Sequence, residues 1–472
     1  MKLFDVVAKA LACVLLVSLT HPLLGEDWPT YQHDNRRSGV TGEQLGFPLQ
    51  RIWQTRPVAP KTAWSGPAKW DSYANIVDLK SMRNFDPVFY TTAAQGYAYY
   101  GSSSDDAVHC LELETGHEAW VFFTNGPVRL PPTFHQGNLL FGSDDGCVYS
   151  IDARSGQQNW KVHTSESRRK VPNNGKLISM WPCRTGVLVQ GNIAYCAGSL
   201  LPWKSTYLFG LDVGTGTWQG SGQYKRTYEQ MTAQGAMFAS AEHLYLSQGR
   251  QAPLMFDLRT GDLLQTVGSS GSGGVYGLLA DDSTFVHGQG QKRGSEGEIR
   301  FFSGKTHDQL LSYPLATSIV VSGNRIYVHA DRVLRAIVRD EYMQLQAGKT
   351  QAQTDLRADK KKKKQLESNA SQQDQVAELE QRIQANTEKI KRIDRKVPSC
   401  FLWTVNSDCP LSLILAGRTL IAGGQDRVAA YDTQTGRETW TTRVSGRAYG
   451  LTASQGCLIV STDRGQISCF GQ

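Results

Sequence analysis

Cys110-Leu-Glu-Leu-Glu-Thr-Gly-His-Glu-Ala-Trp120, Ser150-Ile-Asp-Ala-Arg-Ser-Gly-Gln-Gln-Asn-Trp160 and Ala430-Tyr-Asp-Thr-Gln-Thr-Gly-Arg-Glu-Thr-Trp440 are three copies of one pattern. Its fixed points are an acid, Thr or Ser, Gly and Trp: Glu112, Thr115, Gly116 and Trp120; Asp152, Ser155, Gly156 and Trp160; Asp432, Thr435, Gly436 and Trp440. Weaker copies carry Asp212, Thr215 and Gly216; Asp257, Thr260 and Gly261; and Ser303 with Thr306. The acid ends an apolar strand and can accept backbone N–H bonds in the turn that follows, with Thr or Ser doing so more weakly. Gly supplies the positive φ such a turn requires. The next strand then carries Trp, a broad flat surface for packing one sheet on another.

Ahead of each motif lies a hairpin. Leu130-Pro-Pro-Thr-Phe-His-Gln-Gly-Asn-Leu-Leu-Phe-Gly-Ser-Asp-Asp-Gly146 shows it best: strand, Gln-Gly-Asn turn, second strand, then Asp-Asp-Gly leading into the third. Val187–Tyr195, Val320–Tyr327 and Leu413–Ile421 repeat it. Each unit is therefore four antiparallel strands, the make-up of a propeller blade. The motif positions mark six blades. Arg332-Val-Leu-Arg-Ala-Ile337, aligned with Arg427-Val-Ala-Ala-Tyr-Asp432, marks a seventh. The last stretch, 450–470, offers three strands of an eighth, whose outer strand is expected from Leu49-Gln-Arg-Ile-Trp53, closing the ring and removing a free sheet edge. The expectation is an all-β, eight-bladed propeller over 26–472. Its many turns account for 46 glycines in 472 residues.

One segment breaks the pattern. Over 338–399, Val376, Leu379, Ile383, Asn386, Ile390, Ile393 and Val397 fall on a heptad seam, and Val338, Tyr342, Leu345, Ala352 and Leu356 make a looser one upstream. The reading is an antiparallel helical hairpin inserted between the two outer strands of one blade. It holds 14 Lys and Arg against 10 Asp and Glu, more than half of the chain's net charge of +7, with a five-lysine run at Lys360–Lys364. Such a run is ordinarily a solvated helix face; its functional reading is a contact arm for an acidic surface. So modest and local a charge gives no reason to expect nucleic acid as a partner.

Residues 1–25 read as a secretory leader: Lys2 and Lys9, an apolar run over 10–19 too short to span a bilayer, and Gly25 before a cleavage point. No other stretch is apolar enough to cross a membrane. Eight cysteines follow the leader, at 110, 147, 183, 196, 400, 409, 457 and 469. Their even number permits disulfides in an exported chain, with Cys400–Cys409 the nearest local pair, and no C-x-x-C occurs. No histidine spacing typical of a metal site, nucleophile elbow or phosphate-binding loop is present.

The repeated acid-x-x-Thr-Gly-x-x-x-Trp pattern resembles the tryptophan-docking motif of the PQQ-like propellers, the superfamily of quinoprotein and BamB-like repeats. Asp27-Trp-Pro-Thr-Tyr-Gln-His-Asp-Asn-Arg-Arg-Ser-Gly39, and Arg168-Arg169 with Trp181-Pro-Cys-Arg-Thr-Gly186, resemble segments of exported PQQ-like proteins of planctomycete-type bacteria. The resemblance implies two function classes. One is a cofactor-free scaffold in the cell envelope or periplasm that binds protein partners, with no catalytic residue and no metal. The other is an alcohol dehydrogenase holding PQQ and calcium in the central channel, which needs a Glu, Asn and Asp ligand set and an Asp base. No such set aligns here, and there is no vicinal Cys-Cys pair. A third expectation concerns the channel mouth, where Arg129, Arg184 and Arg447 precede innermost strands. With Arg168, Arg169, Trp181, Trp203 and Arg250 they would form a positive rim for an anionic ligand.

Overall fold

Blade 1 sets the pattern: strands Thr91–Ala94, Tyr97–Ser102, Ala107–Glu112 and Glu118–Phe123 pair antiparallel in sequence order, from the innermost strand outward. The computed structural model describes residues 25–55, 58–64, 85–249, 251–268, 274, 276–288, 298–366 and 372–472. The expected leader, Gly25 apart, and Arg250 lie outside the described residues. Seven more four-stranded blades follow, at 133–163, 188–228, 238–266, 276–314, 316–406, 412–443 and 448–471, the last completed by Gln50–Thr55. That outermost strand pairs antiparallel with Ile467–Gly471. Blades 7 and 8 share one 17-residue strand, Glu438–Ser454, which is the outer strand of one and the inner strand of the next. The chain is an all-β, eight-bladed propeller with a helical insertion.

Middle strands such as Asn138–Ser143 and Cys147–Asp152 are buried on both faces because each sheet is packed between two others. Each core layer mixes side chains of neighbouring blades. Leu140, Val148 and Trp160 of blade 2, for example, meet Val189, Cys196 and Phe209 of blade 3. The motif turns fasten these layers. Gly116 and Gly156 have φ of +71° and +70°, and a Cβ on either would strike an indole of the preceding blade: Trp53 at 2.5 Å and Trp120 at 2.8 Å. The indole N–H groups donate to carbonyls in the same turns, Trp53 to Leu113 O at 2.7 Å and Trp160 to Val213 O at 2.8 Å. The turn acids act locally: the Asp432 carboxylate accepts from the Thr435 hydroxyl and N–H at 2.7 and 2.8 Å.

The insertion consists of α1, Arg339–Leu366, and α2, Gln373–Lys396, between the third and outer strands of blade 6. At 1.5 Å per residue they reach about 40 Å. Pairs Lys349–Asp394, Arg382–Asp359 and Lys363–Glu380 place them antiparallel. Leu379 and Ile393 of the seam are buried, as are Tyr342 and Ala352 of α1. Among the described residues no helix is long and apolar enough to cross a membrane.

The pairing expected for Cys400 and Cys409 does not occur. The strand Phe401–Asn406 separates them by about 20 Å at ~3.3 Å per residue. They also lie in different core layers. A disulfide needs its Cα atoms within about 7 Å.

Candidate functional site on the propeller axis

Ligands in a ring of blades are reached along its axis, so the side chains that line the axis decide what the ring can hold. Here the chain itself enters. The segment before the first blade threads the axis and bonds to inner strands, or the residues just before them, in seven of the eight blades. Trp28 exchanges two backbone bonds with Ala93. Phe134 N–H donates to Pro29 O, Ala239 N–H to Asn35 O, Leu279 N–H to Arg36 O and Leu415 N–H to Gly39 O, all at 2.7–2.9 Å. Asn35 donates to Val189 O at 2.6 Å, and Ser454 Oγ to Glu26 O at 2.9 Å. Arg37, only 4% exposed, donates to Met237 O, the Thr30 hydroxyl and Tyr31 O, each at 2.8 Å.

Above this plug the axis is filled by Ala63, Phe85, Leu130 and Ala236, with Tyr31, Trp64 and Tyr90 packed on them. Tyr31 meets Tyr90 edge to face at 5.0 Å, and burial pushes both phenols up.

Beside this cluster lies a buried chain of alternating charge. Arg129 donates to Asp86 at 2.6 Å and to Asp144 at 2.7 Å. Arg184 donates to both oxygens of Asp144 at 2.8 Å and to Asn173 at 3.0 Å. Asp86 also accepts the Ala63 N–H at 2.9 Å, and Arg184 stacks over Trp64 at 5.5 Å. Burial raises both carboxyls. For Asp144 the two guanidiniums outweigh it and hold the group low, whereas Asp86, with one guanidinium bonded to it, stays above its usual value.

The sequence-named residues divide accordingly. Arg129 and Arg184 form no positive rim: each is at most 5% exposed and paired with carboxylates. Trp181 is half-buried, its N–H on Ser205 O at 2.9 Å. Trp203 is 70% exposed, and Arg169 is exposed. Arg447 is exposed beside Gln425 of blade 7. Arg168 lines a recess of about 120 Å³ with Lys161, His163, Lys170 and three serines. At its floor Cys147 Sγ lies 3.1 Å from His163 Nδ1, but burial pushes this thiol up to about 12, so it is no ready nucleophile.

Calcium does not fit the axial donors. Every oxygen of Asp144 already accepts from arginine, Asp86 accepts from Arg129 and a backbone N–H, and a divalent cation there would face two guanidiniums. Beside these donors Trp64, Tyr31 and Tyr90 pack on Phe85, Leu130, Ala63 and Ala236. Among the described residues no three His, Cys, Asp or Glu groups converge to hold a metal.

Residues 50–294 and 401–471 match the family described as outer membrane protein assembly factor BamB. The chain belongs to this family. The match skips 295–400, the stretch that holds the two outer strands of blade 5, the first three strands of blade 6 and the helical hairpin. Two curated relatives of this BamB-family chain match at lower coverage. A 1-butanol dehydrogenase (cytochrome c) of Thauera butanivorans is 24% identical over 165 residues, 33% of this chain and 21% of the relative. The serine/threonine-protein kinase AfsK of Streptomyces griseus is 29% identical over 126 residues, 25% of this chain and 15% of the relative. The chain thus spans about a fifth or less of these relatives. Among solved structures, a quinohemoprotein alcohol dehydrogenase of Pseudomonas putida HK5 aligns with a TM-score of 0.54 at 10% identity, over 94% of this chain and 80% of that one. That likeness concerns the fold.

Sequence reasoning missed the axis. Asp27–Gly39 was legible as a motif but not as a plug, and Asp86 lies in a stretch with no repeat. Asp144 had been absorbed by its turn, because Asp favours turns whether or not it also binds arginine.

Proposed function

We propose that this BamB-family chain is a non-catalytic propeller that serves as a protein-interaction scaffold in the cell envelope, with the helical hairpin as its contact arm. The observation that carries the reading is the filled axis: plug, aromatic cluster and paired Asp–Arg chain occupy the place where a cofactor would lie. A scaffold needs a rigid ring and exposed features, and both are present. The tip lysines Lys360, Lys361, Lys362 and Lys364 are exposed. They stand at the end of a projection about 40 Å long, suited to an acidic partner surface. The leader read from 1–25 and the family's description support export and an envelope setting.

Two measurements test this. Purified protein mixed with PQQ and calcium is expected to show neither stoichiometric binding nor alcohol-dependent change in quinone absorbance; tight binding with turnover would sink the reading. Photo-crosslinkers placed at Lys361 and Lys364 in the native envelope are expected to capture protein, and a truncation removing 349–392 to lose that capture. Tip positions that capture no more than the outer strands of the ring would remove the arm from the proposal.

A further inference from the structure

The sulfur chemistry of the ring is unused by the scaffold reading, and it is organised. Eight free cysteines are present among the described residues, seven of them buried. Two pairs share one geometry. Cys183 bridges antiparallel to Gly198, and Cys196 stands two residues earlier on that strand, hence on the same face. In blade 8, Leu458 opposes Phe470, so Cys457 falls opposite Gly471, with Cys469 again two residues earlier. In each pair the residue directly across from the first cysteine is glycine, so no side chain stands between the thiol and its diagonal neighbour. A Cβ at Gly471 would sit 3.6 Å from Cys457 Sγ.

Each pair also shares one apolar layer. Cys183 and Cys196 lie between blades 2 and 3 with Trp160 and Phe209. Cys457 packs on the layer holding Cys469, Ile459 and Trp53. Within each pair the two thiols are close enough to act on one another. That contact lowers Cys183, helped by the Thr185 hydroxyl and the Thr185 and Ala197 N–H groups, and it lowers Cys457 in the same way. One thiol of each pair is thus the readier thiolate, with a second thiol against it.

We propose that Cys183–Cys196 and Cys457–Cys469 are dithiol sites that close to disulfides when the chain folds in the presence of a disulfide oxidant. The thiolate of Cys183 attacks a sulfur of the oxidant, forming a mixed disulfide and releasing one oxidant thiolate. Cys196 then gives up its proton and attacks Cys183 Sγ. The intramolecular S–S bond forms and the second oxidant thiolate leaves. Two thiols lose two electrons and two protons, and the oxidant becomes a dithiol. Cys457 and Cys469 react likewise. The first bond ties the connector between blades 2 and 3 to the second strand of blade 3, and the second ties two strands of the closing blade. Cys110, Cys147, Cys400 and Cys409 remain thiols. Cys147 has His163 as its neighbour, and Cys400 and Cys409 lie in separate layers.

The test is refolding of the reduced full chain in a reduced and oxidised glutathione buffer, followed by unfolding, alkylation and a non-reducing peptide map. The expected result is loss of four of the eight reactive thiols, with peptides joined as 183–196 and 457–469 and the other four cysteines alkylated. Alkylation of Cys183 or Cys457 in folded-then-denatured protein, a stable glutathione adduct on either, or any other pairing would overturn the proposal. Cys196→Ser is expected to free Cys183 for alkylation while 457–469 still forms. The wild-type map decides alone if that variant does not fold.

Discussion

Around one arc of the ring, from blade 6 through blades 7 and 8 to blade 3, every outer strand sends an indole into the next blade. Trp403 packs on Gly436, Trp440 donates to Leu49 O, Trp53 packs on Gly116, Trp120 on Gly156 and Trp160 on Gly216. At the next junction a phenol stands in, Tyr224 against Gly261. The remaining arc, from blade 4 to blade 6, has no indole. Gln265 and Leu311 occupy the Trp positions, and His307, at φ +63°, stands where Gly belongs. The hairpin rises from this undocked arc. At its base Tyr342 is buried between Tyr313 of blade 5 and Phe401 of blade 6, with ring centroids at 6.1 and 6.4 Å. Arg339 reaches back to Asp281 and, at 2.8 Å, to Thr284 in blade 5. The two arcs solve one problem differently. Where the docking turn is intact, Trp and Gly fasten the blades; where the turn has been opened for an insertion, the root of the insertion fastens them.

The comparison can be broken at its strongest point first. Trp160→Ala removes a buried indole and its bond to Val213 O, and is expected to cost about 3–5 kcal/mol, read by chemical denaturation. Tyr342→Ala tests the substitute. If the helix root fastens blades 5 and 6, the loss is about 2–3 kcal/mol, at the lower end because the neighbouring helix can settle into the space. A loss under roughly 0.5 kcal/mol, the level of an ordinary surface change, would make the hairpin root a passenger.

A pH series sharpens the docked arc. His109 of blade 1 is bonded to Glu118 at 2.7 Å and to Asp105 at 3.0 Å. Burial lowers its pKa, but the two carboxylates prevail and raise it. A histidine whose folded pKa is raised stabilises the fold fully below its unfolded value, near 6.5, and loses that contribution as pH rises through the raised value. The unfolding temperature of the native chain, relative to His109→Gln, is therefore expected to fall as pH increases above about 6.5. A difference independent of pH would exclude the charged pair. The smallest effect is expected farthest from the ring: Lys360, Lys361 and Lys362 changed together to Ser should leave stability within about 0.5 kcal/mol while weakening capture by the tip.

Much of the ring was legible because its determinants are local. A turn of acid, Thr, Gly and Trp spans nine residues and repeats. The heptad seam of α2 was legible for the same reason, since a 3.5-residue period shows itself within one helix. The axis was not legible because its contacts are remote. Asp86 and Arg129 are 43 residues apart, Arg37 and Met237 200 apart, and no period links them. Arg129 and Arg184 were expected on an open rim and are instead buried against carboxylates, because a sequence does not reveal that a carboxylate from another segment will bury and pair an arginine. The same holds for cysteines. Spacing favoured Cys400 and Cys409, whereas strand register, which spacing does not report, brings together Cys183 and Cys196.

Gln50–Thr55 pairs with Ile467–Gly471, so the eighth blade joins segments about 400 residues apart in the chain. The segment threaded through the axis bonds to blades spread along the whole chain. A chain emerging from its N-terminal side can stack blades 1 to 7 in order, but it must hold Gln50–Thr55 without its final partner until Ile467–Gly471 is available. The ring is therefore assembled with its axle and its clasp both waiting. Long-range pairing of this kind is slow, and it leaves unpaired strand edges exposed meanwhile. The same arrangement makes closure of the ring depend on the meeting of two distant segments, Gln50–Thr55 and Ile467–Gly471.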